Sequence, residues 1–225
     1  MTIKTLLCAL ALVMLPAGSP SATPSGGTVT GKAFVTAKGK VVASENLWVY
    51  LIPAVRRKAT PRTASISQRK QDFIPHALVV PVGSTIAFPN DDREEHNVFS
   101  NAPKQFDLGR YTGGKSKSQT FELPDEYDIY CDIHAGMWTQ VKVVDSDFIA
   151  KVAPDGRFTI ANVPPGKYKV VAWRPRFAQP DQNEVKASVE IVEGKTATIE
   201  EMHVPAPPAQ AAHRRKDGST YPFYP

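Results

Sequence analysis

The run Tyr130-Cys131-Asp132-Ile133-His134-Ala135-Gly136-Met137 places a thiol, an imidazole and a thioether at the spacing Cys-x2-His-x2-Met. A short loop between two strands can fold all three side chains onto one point. Thiolate and imidazole are strong ligands for soft and borderline metals. A weak axial thioether beside a Cys/His/His set is the mark of a copper site that moves single electrons. Zinc more typically takes four Cys and His ligands without methionine. Such a copper site needs a second histidine from elsewhere, and His96, just before a strand-like run, can supply it.

The other cysteine, Cys8, lies in an apolar run at residues 5–15 that follows Lys4 and precedes the small residues 16–22. That run is too short to span a bilayer, so residues 1–22 are expected to be a secretory signal peptide. The mature chain would then have no membrane span, a periplasmic or extracytoplasmic address, and Cys131 as its single thiol. A lone thiol in an oxidising compartment tends to pair or oxidise unless it has an occupation, and metal ligation is the obvious one.

The elements that must hold these residues read as strands. Short β-type runs at 77–81, 85–89, 97–100, 116–121, 127–131 and 139–144 are separated by turn residues such as Val82-Gly83-Ser84 and Thr112-Gly113-Gly114. That spacing predicts a sandwich or small barrel. Residues 28–52 hold strand-like runs split at Lys38-Gly39-Lys40, and residues 55–70, basic and Thr/Ser-rich, read as a linker or mobile loop. Further strands are expected at 157–160, 167–173, 187–192 and 196–202. Residues 205–225, Pro/Ala-rich and then basic and aromatic, read as a flexible tail unable to order itself. The fold class expected is all-β.

With 225 residues, 42% hydrophobic and 22% charged, the chain can bury a real core, and a formal charge of +5 builds no dense basic face for nucleic acid. Cys131 and His134 as a nucleophilic pair would need an oriented base, an oxyanion site and a cleft; none is visible, and Met137 would have no role. A multicopper oxidase would need more histidine clusters than His203 and His213 provide. The chain is therefore not expected to be an enzyme.

Taken together, Phe73-Ile74-Pro75-His76, Val82-Gly83-Ser84-Thr85-Ile86-Ala87-Phe88-Pro89-Asn90, His96-Asn97-Val98 and the Cys131, His134, Met137 loop resemble the cupredoxins, plastocyanin and amicyanin above all. The likeness covers about residues 65–145. It implies a Greek-key β-sandwich holding one type 1 (blue) copper ion, with His96, Cys131 and His134 as equatorial ligands and Met137 axial. It also implies that Asn97 ties the two ligand loops together and that the edge of His134 is the electron exit. His76 matches no ligand position, the acidic run 91–95 reads as a solvated loop with partner docking next, and Tyr130 reads as packing.

A second small β-sandwich is also expected. Residues 150–173, with Asp155-Gly156-Arg157-Phe158 and Val163-Pro164-Pro165-Gly166-Lys167-Tyr168, resemble the carboxypeptidase-regulatory or transthyretin-like modules, and residues 27–51 resemble their opening. The cupredoxin would be a guest between host parts 27–55 and 147–204, with tandem domains as the other arrangement. Trp48 and Trp173 read as core. The function implied is single-electron transfer between redox partners, a cytochrome or dehydrogenase being plausible. A copper trafficking or storage module and a scaffold with a vestigial metal site are the alternatives.

Overall fold

The computed structural model describes residues 26–42, 46–175, 184–206 and 213–221. The expected signal peptide and Cys8 lie outside these residues. The described residues form strands β1 (Gly27–Ala37), β2 (Lys40–Val42), β3 (Trp48–Pro53), β4 (Thr63–Ser65), β5 (Ser67–Gln68), β6 (Phe73–Ile74), β7 (Ala77–Pro81), β8 (Ser84–Pro89) and β9 (His96–Ser100). They continue with β10 (Phe106–Tyr111), β11 (Ser116–Phe121), β12 (Glu126–Tyr130), β13 (Trp138–Val144), β14 (Ile149–Lys151), β15 (Arg157–Val163), β16 (Gly166–Trp173), β17 (Glu184–Ile191) and β18 (Thr196–Pro205). The protein is all-β, as the turn-punctuated strand pattern predicts. Among the described residues no helix is long and apolar enough to cross a membrane.

Two pairs of sheets divide the strands. One pair comprises β10-β9-β12-β13-β7 and β11-β8-β4, with β5 and β6 pairing beside them. Alternating burial along β8 shows the half-buried strand period: Ser84, Ile86 and Phe88 point in, and Thr85, Ala87 and Pro89 lean out. Ile86, Phe88, Val98, Phe121, Tyr127, Ile129 and Val141 fill the core between these sheets, and Cys131 and Met137 belong to the same cluster.

The other pair comprises β15-β1-β18, with β2 on β1, and β14-β3-β16-β17. Both sheets draw strands from either side of the first unit in the sequence. β1 pairs antiparallel with β15 and parallel with β18, and β3 pairs with β14 and β16. Val29, Leu51, Phe158, Val170, Ile199 and Val204 form its separate core.

The segment 55–70 differs from its expected role as a linker. Thr63–Ser65 runs parallel to β8 and Ser67–Gln68 pairs with β6; Ile66 and Gln68 are fully buried. Its polar composition concealed this because an edge strand buries only alternate side chains. β10 was also not expected. It carries Gly109 at φ 67° and an irregular register between Asp107 and Arg110, which breaks the alternation that sequence reading relies on.

The two units meet on β7 and β13, which pair in parallel. Val80, Val141 and Val143 face the first core. Ala77, Val79 and Val144 face the second unit, where they pack on Tyr50, Val171 and Trp173. The continuous apolar run of β7 is therefore explained by burial on both faces.

At the rim of this joint, Asp128 accepts a hydrogen bond from Gln140 Nε2 at 2.7 Å. Burial pushes its carboxyl up to about 6, Gln140 pulls it down, and the charge of Glu126 adds to the rise. The folded state thus favours the protonated acid, and stability falls as pH rises from the unfolded value of about 4 to about 6. Asp128→Asn keeps an acceptor for Gln140 and removes the charge. It is expected to stabilise the protein by about 1–2 kcal/mol at pH 7, with the gain vanishing below about pH 4. Urea unfolding at several pH values checks this.

Candidate metal centre

The ligand loop is the connection of the β12–β13 hairpin. Tyr130 pairs with Trp138 at its base. Inside it, the Cys131 N–H donates to the Met137 carbonyl at 3.3 Å and the Met137 N–H to the His134 carbonyl at 3.2 Å. These two bonds curl seven residues into a tight turn that aims Cys131, His134 and Met137 inward. His96 enters from the first position of β9, a strand buried along its whole length.

Three of the four expected residues come together, and the fourth, Met137, is buried in the same core cluster as Cys131. The ligand atoms of His96, Cys131 and His134 all lie within 4.8 Å of one another. His96 Nδ1 faces His134 Nδ1 at 3.1 Å, and Cys131 Sγ lies 3.8 Å from His134 Nδ1. His96, Cys131 and Met137 are fully buried, and His134 is half-buried. Cys131 is a free thiol.

The donor set fits copper by its own chemistry. Two imidazole nitrogens facing each other can share only one proton, whereas a cation between them lets both present lone pairs. Burial pushes the Cys131 thiol up, but the hydrogen bond with His96 and the backbone N–H groups of Asn97, Ile133 and His134 outweigh it and hold it below the usual thiol range. Burial and the neighbouring His96 lower His134, which keeps it in the neutral, ligating form. His96 runs the other way: burial lowers its pKa, but the hydrogen bonds and charges of Cys131 and Asp92 outweigh this and raise it. A metal must therefore displace its proton to bind. A thiolate, two imidazoles and a thioether are donors that suit copper.

Two polar supports fix the loops. Asn97 Oδ1 accepts the Asp132 N–H at 3.3 Å and its Nδ2 donates to Asp107 at 2.7 Å, so Asn97 joins the His96 strand to the ligand loop. The second support was not legible in the acidic run, which the structure shows to be partly structural. Asp92 accepts the Lys70 and Gln71 N–H groups at 2.7 and 2.9 Å and bonds His96 Nε2 at 2.8 Å. Lys70 and Gln71 both hold positive φ, 55° and 56°, a strained pair whose amides converge on the carboxylate. A carboxylate on the far ring nitrogen fixes the tautomer and turns Nδ1 toward the centre.

His76 stands outside the cluster. It bonds Asp72 at 3.1 Å and stacks on Trp138 with ring centroids 5.0 Å apart, so it packs beside the base of the loop. The tail differs from the flexible segment expected: residues 213–221 lie on the ligand loop. His213 stacks on Tyr130 with centroids 4.3 Å apart. Burial lowers its pKa against the opposing pull of the backbone of Arg214, His134 and Met137. Composition missed this because the partners that order the tail belong to another part of the chain.

Residues 62–144 match the family model of copper binding proteins, plastocyanin/azurin family. The model that matches the second unit is that of polysaccharide lyase family 4, domain II, over residues 132–199; the carboxypeptidase-regulatory likeness remains a resemblance in sequence. The shared stretch 132–144 includes β13, which pairs with β12 and β7 of the first unit. No curated protein matches the chain.

Among solved structures, the chain is similar to a Cu-containing nitrite reductase (NirK) from Thermus scotoductus SA-01. The identity is 28% with a TM-score of 0.35, covering 41% of this chain and 25% of that one. It spans, then, only a quarter of that enzyme's length. A novel purple cupredoxin from Nitrosopumilus maritimus is 26% identical with a TM-score of 0.34, covering 36% of this chain and 99% of that one. A reduced amicyanin variant is 24% identical with a TM-score of 0.34, covering 40% and 87%. Residues 62–144, folded as a β-sandwich, are what matches the plastocyanin/azurin model of copper binding proteins.

Proposed function

We propose that this chain is an electron-transfer protein with one type 1 copper ion held by His96, Cys131, His134 and Met137. The observation that carries the reading is the buried convergence of one thiol and two imidazole nitrogens, with Met137 closing the same loop. Copper bound there would supply a one-electron couple. The protein's own part is to keep the centre dry and to hold its ligands still. Cys131 and Met137 sit in the core cluster, Asp92 and Asn97 brace the two loops, and the half-buried His134 gives the nearest approach from solvent.

In this reading the chain turns over no substrate and serves redox partners of the cytochrome or dehydrogenase kind, in the periplasm or another extracytoplasmic space. The cupredoxin unit is inserted in the second sandwich, which acts as its support; the pairing of β1 with β15 and of β3 with β16 across it favours this.

Titration of the metal-free, reduced protein with Cu(II) tests the function. One equivalent should bind and give an intense visible thiolate-to-copper absorption, and oxidised and reduced copies should exchange electrons rapidly. No such absorption with Cys131 reduced would overturn the assignment. Slow exchange with ready release of copper to a chelator would favour trafficking.

A further inference from the structure

The face of the ligand loop is covered by the chain's own C-terminal segment. Tyr221 donates its hydroxyl to the carbonyl of Cys131. The Lys216 N–H donates to Asp132 Oδ1 at 3.1 Å, and Arg215 reaches Asp132 Oδ2 at 3.5 Å. Lys216 Nζ bonds Asp107 at 2.9 Å, the same carboxylate that accepts from Asn97. His213 lies between two rings, stacked on Tyr130 and edge-on to Tyr221 with centroids 5.1 Å apart. Asp132 is only 3% exposed, and besides this segment its carboxylate has Arg110 at 3.8 Å. A buried carboxylate needs such partners, so the segment is built into the loop rather than resting on it.

We propose that residues 213–221 form a cap, acting in cis, that occupies the docking face of the copper site. The face offers two carboxylates, an aromatic ring and the Cys131 carbonyl. It takes a basic, aromatic segment, which is the chemistry of His213, Arg215, Lys216 and Tyr221. While the cap is docked, an outside redox partner is held away from the face of the loop formed by Tyr130, Cys131 and Asp132; when it leaves, that face opens beside the half-buried His134. The cap rests on the electron-transfer reading, but its docking does not require a metal.

The test uses the full chain. In the metal-free protein, amides 213–221 should be protected from hydrogen exchange. Two variants should undock the cap: His213→Ala with Tyr221→Ala, which removes a stack and a hydrogen bond without changing charge, and Arg215→Glu with Lys216→Glu. Each should speed the reaction of Cys131 with a disulfide reagent by about tenfold. In copper-loaded protein, one electron passes from reduced protein to ferricyanide, giving oxidised protein and ferrocyanide, and the uncharged variant should do this about tenfold faster. Unprotected cap amides, unchanged thiol reactivity in both variants, or faster thiol reaction with an unchanged ferricyanide rate would each overturn the cap. Failure to bind copper with the cap amides protected would overturn the electron-transfer reading instead.

Discussion

Cys131→Ser is expected to abolish the visible absorption of the copper-loaded protein while leaving the fold in place. The absorption depends on a thiolate bonded to the metal, and serine offers a hydroxyl that stays protonated at neutral pH. Copper affinity should fall by more than the roughly 10–100-fold that changing a supporting residue costs, because a direct ligand is lost. The fold should survive because the hairpin is set by the pairing from Glu126–Lys142 to Tyr130–Trp138, and the Met137 turn bonds use backbone atoms. Ile133 N–H, 3.4 Å from the sulfur, can donate to the serine oxygen. Metal titration followed by absorbance, beside a melting curve of the metal-free variant, checks both halves. A coloured variant would mean that the thiolate is not the ligand.

Trp173→Ala is expected to cost about 3–5 kcal/mol, the range for deleting a fully buried large aromatic. Trp173 is 0% exposed and packs with Tyr50, Ala77, Val79, Val144 and Val171 where the two units meet. Its indole N–H also donates to Glu126 Oε1 at 3.1 Å, the oxygen that takes Lys142 Nζ at 2.8 Å. Truncation therefore opens a cavity and removes one of the donors of a half-buried carboxylate. Trp173→Phe, which keeps most of the ring volume, should cost less, roughly 1–2 kcal/mol. Denaturant unfolding followed by circular dichroism separates the two. Equal losses would mean that the hydrogen bond, not the packing, holds the joint.

The ligand loop was legible because its three donor side chains sit in one turn, where sequence spacing and distance in space are nearly the same. His96 was legible for another reason: His-Asn before an apolar run is distinctive when a Cys/His/Met loop follows. The strand pattern and the buried Trp173 could also be read, since alternation and turn residues are local signals. What the sequence alone does not show depends on contacts between distant segments. Asp92 looked like one acid in a solvated run because nothing local shows that Lys70 and Gln71 turn their amides toward it. The edge strand at 63–65 looked like a linker for want of apolar alternation. The tail looked unable to order itself because its order is borrowed from Asp107, Tyr130 and Asp132.

The strand pairing of the second unit has a consequence for how the protein is made. β1 and β3 leave the ribosome early, yet β14, β15, β16 and β18 emerge only after the whole of the first unit. Until then both early strands carry unpaired edges and exposed apolar faces, a state open to aggregation. Their long-range pairing is slow by nature, since loop closure must precede its reward. The first unit, which finds all of its sheet partners between residues 63 and 144, can fold while the rest waits. Its folding draws the two ends of the later sandwich toward each other and shortens the loop still to be closed. The pairing order thus lets the first unit serve as an assembly jig for the sandwich that carries it.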